Sequence, residues 1–304
     1  MDTHILVYGG GRIGSALSFA LKKNKECKVS VFDIETEKAT FSEKELVQYI
    51  PESDIIFLCV PSWEIKGVLK KIAPHVSPRT IFVSLAKGIE EETGKTVDRI
   101  VEEEFGDTSH IAILGGPLMA EEILNDKMGW GVCASKERGI SDAIERLFAH
   151  TLYLSYTPDI SGVALSGALK NIYALALGFA DGVHIGANLK GMLFSDCITE
   201  IVNAVLTAGG KVETVLGPAG IGDFFATVSS PQSRHFSFGK GIIKKAQHHL
   251  EKNEGITSLP PIVHMLHDRL DDFWVLEVIQ QVCIHHKDPR LALEYYFSKK
   301  AKAI

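Results

Sequence analysis

Hydrophobic positions in the first half of the chain follow a strand-like and a helix-like pattern in turn. Short apolar runs rich in β-branched residues, typical of buried strands, are separated by stretches in which apolar residues recur every three or four positions. The predicted strands cover residues 4–8, 28–33, 54–59, 80–84, 111–114, 131–134 and 152–155. The clearest predicted helices between them cover residues 62–73, 93–105 and 140–149. This alternation predicts an α/β fold with a doubly wound parallel sheet and right-handed crossovers.

The pattern changes near residue 157. From Thr157-Pro158-Asp159 onward the periodicity is helical, and no strand pattern of comparable strength follows. A chain of 304 residues also exceeds what one hydrophobic core usually supports. We therefore predict an α/β domain over residues 1–157 and an all-helical domain over residues 158–304.

The first predicted strand runs directly into a glycine-rich turn. Residues 9–14 read G-G-G-R-I-G, a helix-periodic stretch follows, and Asp33 ends the second strand 19 positions after Gly14. In such a turn Gly9 permits the tight bend, Gly11 admits a pyrophosphate to the backbone, and Gly14 lets helix and strand pack closely. The phosphates then rest on the helix N-terminus. The pattern predicts a Rossmann-type dinucleotide-binding domain.

The acid at the end of the second strand bears on the choice of cofactor. A carboxylate at Asp33 accepts hydrogen bonds from the adenosine ribose and repels a 2′-phosphate. We therefore expect NAD as the cofactor, with NADP less favoured.

Three segments that directly follow predicted strands are candidate ligand contacts, because ligands bind beyond the carboxyl ends of parallel strands. These segments are residues 60–62, 86–88 and 115–120. Lys87 is the only charged residue in the segment V-S-L-A-K-G-I. It is a candidate site residue, and a loop lysine in water is the alternative interpretation.

A second lysine stands out in the helical half. Residues 163–178 read V-A-L-S-G-A-L-K-N-I-Y-A-L-A-L-G, with Lys170 as the one charged residue. An ammonium in a helix that is apolar almost all round is costly to bury unless it has partners or faces a cleft. Asn171 follows it, and loops rich in Gly, Asp and Arg come downstream. We predict a reaction centre near Lys170, the alternative being a lysine that extends its stem over the surface.

Composition and charge exclude several classes of partner. A net charge of -6 gives no footprint for nucleic acid or an anionic membrane. The five cysteines are scattered and never stand in a C-x-x-C spacing, so neither a disulfide framework nor a metal site is predicted. The start of the chain lacks a basic region followed by an apolar one, and no uncharged apolar run approaches about 18 residues. We expect a cytoplasmic protein without membrane insertion.

Motifs in both halves of the chain carry a family resemblance. After the glycine turn, the chain contains in order Lys87-Gly88, Gly116-Pro117, Lys170-Asn171 and Gly222-Asp223. Between residues 163 and 240 it contains G-A-L-K-N, D-G-x-x-x-G-x-N-x-K, G-I-G-D and S-S-P-Q-S-R-x-F-S-F-G. In these motifs it resembles, over nearly its whole length, the NAD(P)-dependent glycerol-3-phosphate dehydrogenases. The resemblance implies reversible reduction of dihydroxyacetone phosphate, a small phosphorylated substrate, to sn-glycerol 3-phosphate, and a homodimer is plausible.

The resemblance also implies roles for individual residues. Lys170 would be the catalytic lysine, Lys87 would line the substrate site, and Arg234 would hold the substrate phosphate. The predicted catalytic residues are Lys170, Lys87 and Asp223. The predicted substrate-binding residues are Asn171, Thr227, Ser233 and Arg234. The predicted cofactor-binding residues are Gly9, Gly11, Arg12, Ile13, Gly14, Asp33, Pro61, Lys87, Ala120 and Arg234.

Ketone reduction sets a requirement that a lysine can meet. A group near the carbonyl must stabilise the alkoxide that develops on oxygen and pass a proton to it. A lysine does so when its pKa is lowered from about 10.4 toward neutrality. We expect the charge of Lys87 to lower the pKa of Lys170, and Asp223 to limit the shift and orient the ammonium.

Four positions depart from the family's pattern, and two alternative functions stay open. Leu118 stands in place of a Ser or Asn, Ala187 in place of an Asp, Ser195 in place of an Arg and His235 in place of an Asn. Leu118 and His235 are expected to lie close to the cofactor or the phosphate. One alternative is a reductase of another small keto acid, resembling the ketopantoate reductases, and the other is a non-catalytic NAD-binding paralogue. Lys190 is the alternative ligand for the substrate phosphate.

Overall fold

The first half of the chain forms a seven-stranded sheet. The computed structural model describes residues 2–106, 110–148, 151–242 and 252–303. The strand order is β2-β1-β3-β4-β5-β6-β7. The strands are β1 (Thr3–Tyr8), β2 (Cys27–Phe32), β3 (Ile55–Leu58), β4 (Ile81–Ser84), β5 (Ile111–Gly115), β6 (Gly129–Ser135) and β7 (Leu152–Thr157). The predicted α/β architecture is confirmed.

The last two strands, β6 and β7, run opposite to the other five, against the prediction of a wholly parallel sheet. Strand β6 pairs antiparallel with β5, with Gly115 opposite Val132 and Ala112 opposite Ser135, whereas all other neighbouring strands are parallel. The connection between β5 and β6 contains only one short helix, α5 (Ala120–Leu124). That connection stays at the carboxyl end of β5, so the chain re-enters the sheet from the end at which it left.

The sheet is covered on both faces. Every residue of β3 and β5 is buried, and alternate residues of β1 pack into different cores, Leu6 on one face and Ile5 and Val7 on the other. Both faces of a strand are buried when helices lie on each side of a parallel sheet. The helices of this region, besides α5, are α1 (Arg12–Leu21), α2 (Leu46–Glu52), α3 (Ser62–Ile72), α4 (Val97–Phe105) and α6 (Arg138–Leu147). Residue 149 of the predicted helix 140–149 lies outside the described residues.

The described residues after 157 contain helices and no strand. They form α7 (Ile160–Gly182), α8 (Ala187–Thr207), α9 (Val212–Leu216), α10 (Asp223–Ser229), α11 (Arg234–Ile242), α12 (Glu254–Thr257), α13 (Leu259–Met265), α14 (Trp274–Cys283) and α15 (Pro289–Ala303). A π-helical turn, Pro218–Gly222, directly precedes α10. The predicted helical second half is confirmed.

Helix α7 is the centre of the helical region. It is long and apolar enough to cross a membrane by length and composition, but its most apolar 18-residue window is 100% buried inside the protein. Helices α8, α10, α11, α12 and α14 pack around it, and its N-terminal part also contacts β5. Helix α7 is therefore the core helix around which the second half of the protein is built.

The two regions join through a short connection. Strand β7 ends at Thr157, α7 begins at Ile160, and the carboxylate of Asp159 accepts a hydrogen bond from the backbone N–H of Gly162 at 3.0 Å. The predicted domain boundary between residues 157 and 158 falls in this connection and stays a prediction.

Candidate active site

The glycine turn has the geometry that its residue types predict. Gly9 has a φ of +104°, and a Cβ there would lie 2.7 Å from the carbonyl oxygen of Cys59. A Cβ at Gly14 would overlap the carbonyl oxygen of Gly9, whereas one at Gly11 would meet no protein atom within 4 Å. Helix α1 has no side-chain cap and no acid in its first turn. Its first N–H groups are thus available to an anion, which fits the pyrophosphate of a dinucleotide.

Asp33 lies beside this turn at the end of β2. Its Oδ2 accepts a hydrogen bond from the backbone N–H of Gly10 at 2.6 Å, and its Oδ1 accepts one from that of Glu35 at 2.8 Å. These two bonds fix the carboxylate next to the glycine turn. The side chain stays partly exposed, so its remaining lone pairs can reach the hydroxyls of a bound ribose.

Lys170 is buried in the middle of α7 and is paired. Only 6% of the residue is exposed. Its Nζ donates to Oδ1 of Asp223 at 2.8 Å and to Oγ1 of Thr227 at 2.6 Å, and Thr227 donates in turn to the backbone carbonyl of Asp223 at 2.8 Å. The interpretation of Lys170 as a surface lysine is therefore wrong.

Lys87 reaches the same carboxylate from the α/β region. Its Nζ donates to Oδ2 of Asp223 at 2.6 Å and to the backbone carbonyl of Gly116 at 3.1 Å. The side-chain amide of Asn171 donates to the backbone carbonyl of Lys87 at 3.1 Å. Asp223, which is 1% exposed, thus holds two lysines from different regions of the chain, one on each oxygen.

The pKa values in this cluster follow from burial and from the charges. Burial, followed by the charge of Lys87, lowers the pKa of Lys170 to about 8, while Asp223 opposes the shift. Burial alone would raise the pKa of Asp223, but the charges of Lys170 and Lys87 and their hydrogen bonds outweigh it and lower that pKa. The neighbouring lysine thus acts in the expected direction, but burial is the larger cause. A lysine with a pKa near 8 can hold or release a proton close to neutral pH.

These groups lie along one cleft between the two regions, with a volume of about 440 Å³. Lys87, Lys170, Asn171 and Thr227 line it, while Asp223 lies buried behind the two lysines. The predicted cofactor-binding residues on its wall are Gly11, Arg12, Ile13, Pro61, Lys87, Ala120 and Arg234. Gly9, Gly14 and Asp33 are not among the described residues that line it and lie at or beside the glycine turn.

Arg234 and Ser233 stand at the start of α11, on the same cleft. Ser233 is buried, and its Oγ accepts a weak hydrogen bond from the backbone N–H of Phe236 at 3.3 Å. Arg234 is exposed and has no ion pair within the part of the chain that the structure describes. Lys190, in contrast, bonds Asp181 at 3.0 Å and is not among the described lining residues.

Two of the four departures from the family pattern lie on the cleft. Leu118 and His235 are buried and line it, whereas Ala187 and Ser195 are exposed on α8. Burial, followed by the charges of Lys170 and Arg234, lowers the pKa of His235 to about 3. The imidazole is therefore neutral at physiological pH, and its Nε2 has no hydrogen-bond partner among the described residues.

The sequence analysis missed an acid that joins the two sides of the cleft. Glu254, on α12, accepts hydrogen bonds from the backbone N–H of Ser62 at 2.9 Å and from its Oγ at 2.5 Å. Burial raises the pKa of Glu254. Trp63 and Lys252 form a cation–π contact of 4.7 Å on the same cleft wall. The sequence did indicate a ligand contact near Ser62, because this residue follows a predicted strand. It gave no sign of Glu254, which lies 192 positions further along the chain.

Comparison with known proteins agrees with this geometry. The description of one matching family model is the N-terminus of NAD-dependent glycerol-3-phosphate dehydrogenase, over residues 31–140, and that of another is its C-terminus, over residues 159–294. A relative from Acinetobacter baylyi, named glycerol-3-phosphate dehydrogenase (NAD(P)+), is 32% identical over 262 residues, which are 78% of this chain and 72% of the relative.

Solved structures show the same fold. The crystal structure of glycerol-3-phosphate dehydrogenase from Coxiella burnetii superposes with a TM-score of 0.87 at 23% identity, covering 97% of this chain and 99% of that one. A ketopantoate reductase from Ralstonia eutropha reaches a TM-score of 0.59 at 12% identity, covering 97% of this chain and 99% of that one. The two family models together span most of both regions, and the chain belongs to the NAD-dependent glycerol-3-phosphate dehydrogenase family.

Proposed function

We propose that the protein catalyses reversible hydride transfer between NAD(P)H and dihydroxyacetone phosphate, giving sn-glycerol 3-phosphate. The observation that carries the proposal is the buried carboxylate of Asp223, shared by Lys87 and Lys170 on the wall of the dinucleotide cleft. Relatives that are named glycerol-3-phosphate dehydrogenase support the choice of substrate. A shared acid of this kind keeps two ammonium groups together where a single anion or a developing alkoxide can meet both.

Lys170 is the proton donor and acceptor in this proposal. The bound nicotinamide supplies or takes up the hydride. The ammonium of Lys170 donates a hydrogen bond to the substrate ketone, stabilises the negative charge that develops on that oxygen, and transfers its proton there. Asp223 and Thr227 hold Nζ in place before the reaction. Because the pKa of Lys170 is about 8, both its charged and neutral forms are accessible in either direction of the reaction.

Lys87 and Asn171 act together at the substrate site. Lys87 adds a second positive charge beside Lys170, and Asn171 holds the backbone at Lys87 through its amide. The substrate phosphate is bound by Arg234, with Ser233 at the start of α11. Arg234 has no ion pair within the described part of the chain, so its guanidinium can grip two phosphate oxygens at once.

Asp33 makes NAD the preferred cofactor. Its carboxylate is fixed beside the glycine turn by the N–H of Gly10, where a 2′-phosphate on the adenosine ribose would meet a negative charge. The wild-type kcat/KM should accordingly be higher with NADH than with NADPH. A higher value with NADPH would contradict this part of the proposal.

Two observations disfavour the alternative functions, a reductase of another small keto acid and a non-catalytic NAD-binding paralogue. A reductase of small keto acids needs no ligand for a phosphate, whereas Arg234 stands unpaired on the cleft among the described residues. A non-catalytic paralogue has no use for a lysine buried at a cleft with a pKa near 8.

One assay tests the proposal. The full chain should oxidise NADH when dihydroxyacetone phosphate is added, and ketopantoate should not replace that substrate. Oxidation with ketopantoate alone would favour the first alternative, and NADH binding without turnover on either compound would favour the second. A homodimer in the cytoplasm completes the proposal, and light scattering of the purified protein would test the dimer.

A further inference from the structure

An ion pair lies on the wall of the dinucleotide cleft beside the glycine turn. Arg12 is the first residue of α1, directly after Gly11, and its guanidinium pairs with the carboxylate of Glu121 on α5. Both side chains line the cleft. Their side chains are 51% and 35% exposed, so a ligand entering the cleft can reach the pair.

We propose that Glu121 lowers the affinity for the dinucleotide by keeping Arg12 in an ion pair that the pyrophosphate must take over. The inference rests on the dinucleotide site described above and adds a residue that tunes it. It assigns to Glu121 an effect on cofactor binding and release, with no contact to the substrate.

The first step of the argument is the placement of the two charges. The N-terminus of α1 carries no acid and no side-chain cap, so the pyrophosphate approaches free N–H groups next to Arg12. A guanidinium at this position can donate two parallel hydrogen bonds to phosphate oxygens. In the structure that guanidinium is instead bonded to Glu121.

The second step concerns the size of the effect. Exposed ion pairs contribute little to stability, so breaking this pair does not harm the fold. The carboxylate of Glu121 nevertheless competes with the pyrophosphate for the hydrogen-bond donors of Arg12. Because Arg12 only exchanges one exposed anionic partner for another, the affinity for the dinucleotide should change several-fold rather than by orders of magnitude.

The third step is the consequence for turnover. In many enzymes in which a cleft closes on its ligand, product release or reopening of the cleft limits turnover. If the carboxylate of Glu121 re-forms its ion pair with Arg12 while the dinucleotide dissociates, the release of the dinucleotide becomes faster. Glu121 would thus favour fast exchange of the cofactor over tight binding.

The test compares Glu121→Gln with a matched control. Glu122→Gln removes the neighbouring acid, which pairs with Lys127 at 3.6 Å and is not among the described residues that line the cleft. NADH binding to the full-length protein is measured by fluorescence titration in the absence of substrate. We expect Glu121→Gln to lower the Kd for NADH about 3- to 10-fold at low salt, with a smaller gain in 0.5 M salt because the effect is electrostatic. Glu122→Gln should leave the Kd unchanged.

A second background tests whether Glu121 acts through Arg12. In Arg12→Gln, NADH binding should weaken, and adding Glu121→Gln should then improve the Kd by less than twofold. An equal gain in both backgrounds, or a Kd in Glu121→Gln that is unchanged or higher, would overturn the inference. Substrate reduction is not used, so a protein that binds NADH but does not reduce dihydroxyacetone phosphate refutes the proposed function alone. Failure of the wild type to bind NADH would refute the dinucleotide site and this inference together.

Discussion

The helical region buries two carboxylates whose pKa values are shifted in opposite directions. Asp223 faces the ammonium groups of Lys170 and Lys87, and its pKa is lowered although it is buried. Glu200, on α8, accepts hydrogen bonds from Tyr173 and from the backbone N–H groups of Val275 and Leu276 at 2.7–3.0 Å. Burial outweighs these bonds and raises its pKa to about 7.

The difference shows what separates a reactive cluster from a structural one. Neutral N–H donors at the start of α14 orient the carboxylate of Glu200, but they do not offset the free-energy cost of removing the ionised carboxylate from water. Two cations do so for Asp223, and the acid in turn holds both of them at the cleft. The first arrangement caps a helix, and the second keeps two positive charges together on the wall of the cleft.

Removing a cation from the cluster at Asp223 should have the largest effect. Lys170→Met keeps most of the side-chain volume but loses the charge, so kcat for dihydroxyacetone phosphate should fall by at least ~10²-fold, as expected for a lost acid and oxyanion donor. The Kd for NADH should change little. Lys299→Met, which removes a lysine bonded to Glu277, is the control. Turnover within a few-fold of the wild type would mean that Lys170 is structural.

Arg234, which has no ion pair among the described residues, should show the next largest effect. Dihydroxyacetone phosphate offers little apolar surface, so its binding depends on the charged hydrogen bonds of the phosphate. Arg234→Ala should raise the KM for this substrate by about 10- to 100-fold, since such bonds contribute about 1.5–3 kcal/mol. Arg234→Lys should already be damaging because the planar fork is lost.

Unphosphorylated dihydroxyacetone provides the internal control for Arg234. It should be a poor substrate for both the wild type and the variant, with nearly equal kcat/KM in each. Equal losses on the two substrates would remove the phosphate from Arg234 and return it to Lys190, although Lys190 is bonded to Asp181 in the structure.

Removing the acid itself should move the pH profile. In the wild type, ketone reduction requires protonated Lys170, so kcat should fall as the pH rises through about 8. In Asp223→Asn the opposing effect of the carboxylate is lost, while burial and the charge of Lys87 remain. The pKa of Lys170 should therefore fall further, and the basic limb should move to lower pH by about a unit or more. A limb that stays at the wild-type pH would show that it does not report Lys170.

The sequence predicted the cluster at Asp223 better than the acid in the core. Lys170 was recognisable because a single charge in a long apolar helix needs partners, and Asp223 through the G-I-G-D motif that carries the family resemblance. The sequence around Glu200 gives no comparable indication, because acidic residues are common on helices that are partly exposed to solvent. Its burial depends on where α14 packs against α8, which no local pattern records.

Two further features depend on tertiary structure in the same way. The periodicity of residues 129–135 identifies a strand but not its direction, and the direction follows from the connection through α5. The contact of Glu254 with Ser62 joins residues that are far apart in the chain. The hydrophobic pattern therefore predicted the helices and strands, and the motifs that carry the family resemblance predicted most of the charged residues at Asp223, but neither predicted the contacts that join the two sides of the cleft.

The smallest expected effect concerns Glu200 and bears on stability alone. Its pKa in the folded protein is about 7, above the ordinary value of 4.5, so the folded state binds the proton more tightly than the unfolded state does. Its contribution to the free energy of unfolding is therefore fully present below about pH 4.5 and is lost as the pH rises through about 7. Asp223, with a lowered pKa, contributes the opposite slope, because its stabilisation is lost as the pH falls through its folded-state pKa.

Glu200→Gln removes this titration and should flatten the pH dependence of stability. At pH 5 the variant should be less stable by about 1–2 kcal/mol, because its NH2 group replaces one acceptor oxygen and then faces a backbone N–H donor of α14. The deficit should shrink between pH 5 and pH 8, as the wild type alone comes to bear a buried charge. Urea unfolding at four pH values measures this difference, with Glu294→Gln, an exposed acid on α15, as the control. A constant deficit across the range would mean that Glu200 keeps an ordinary pKa, and the contrast with Asp223 would then rest on geometry alone.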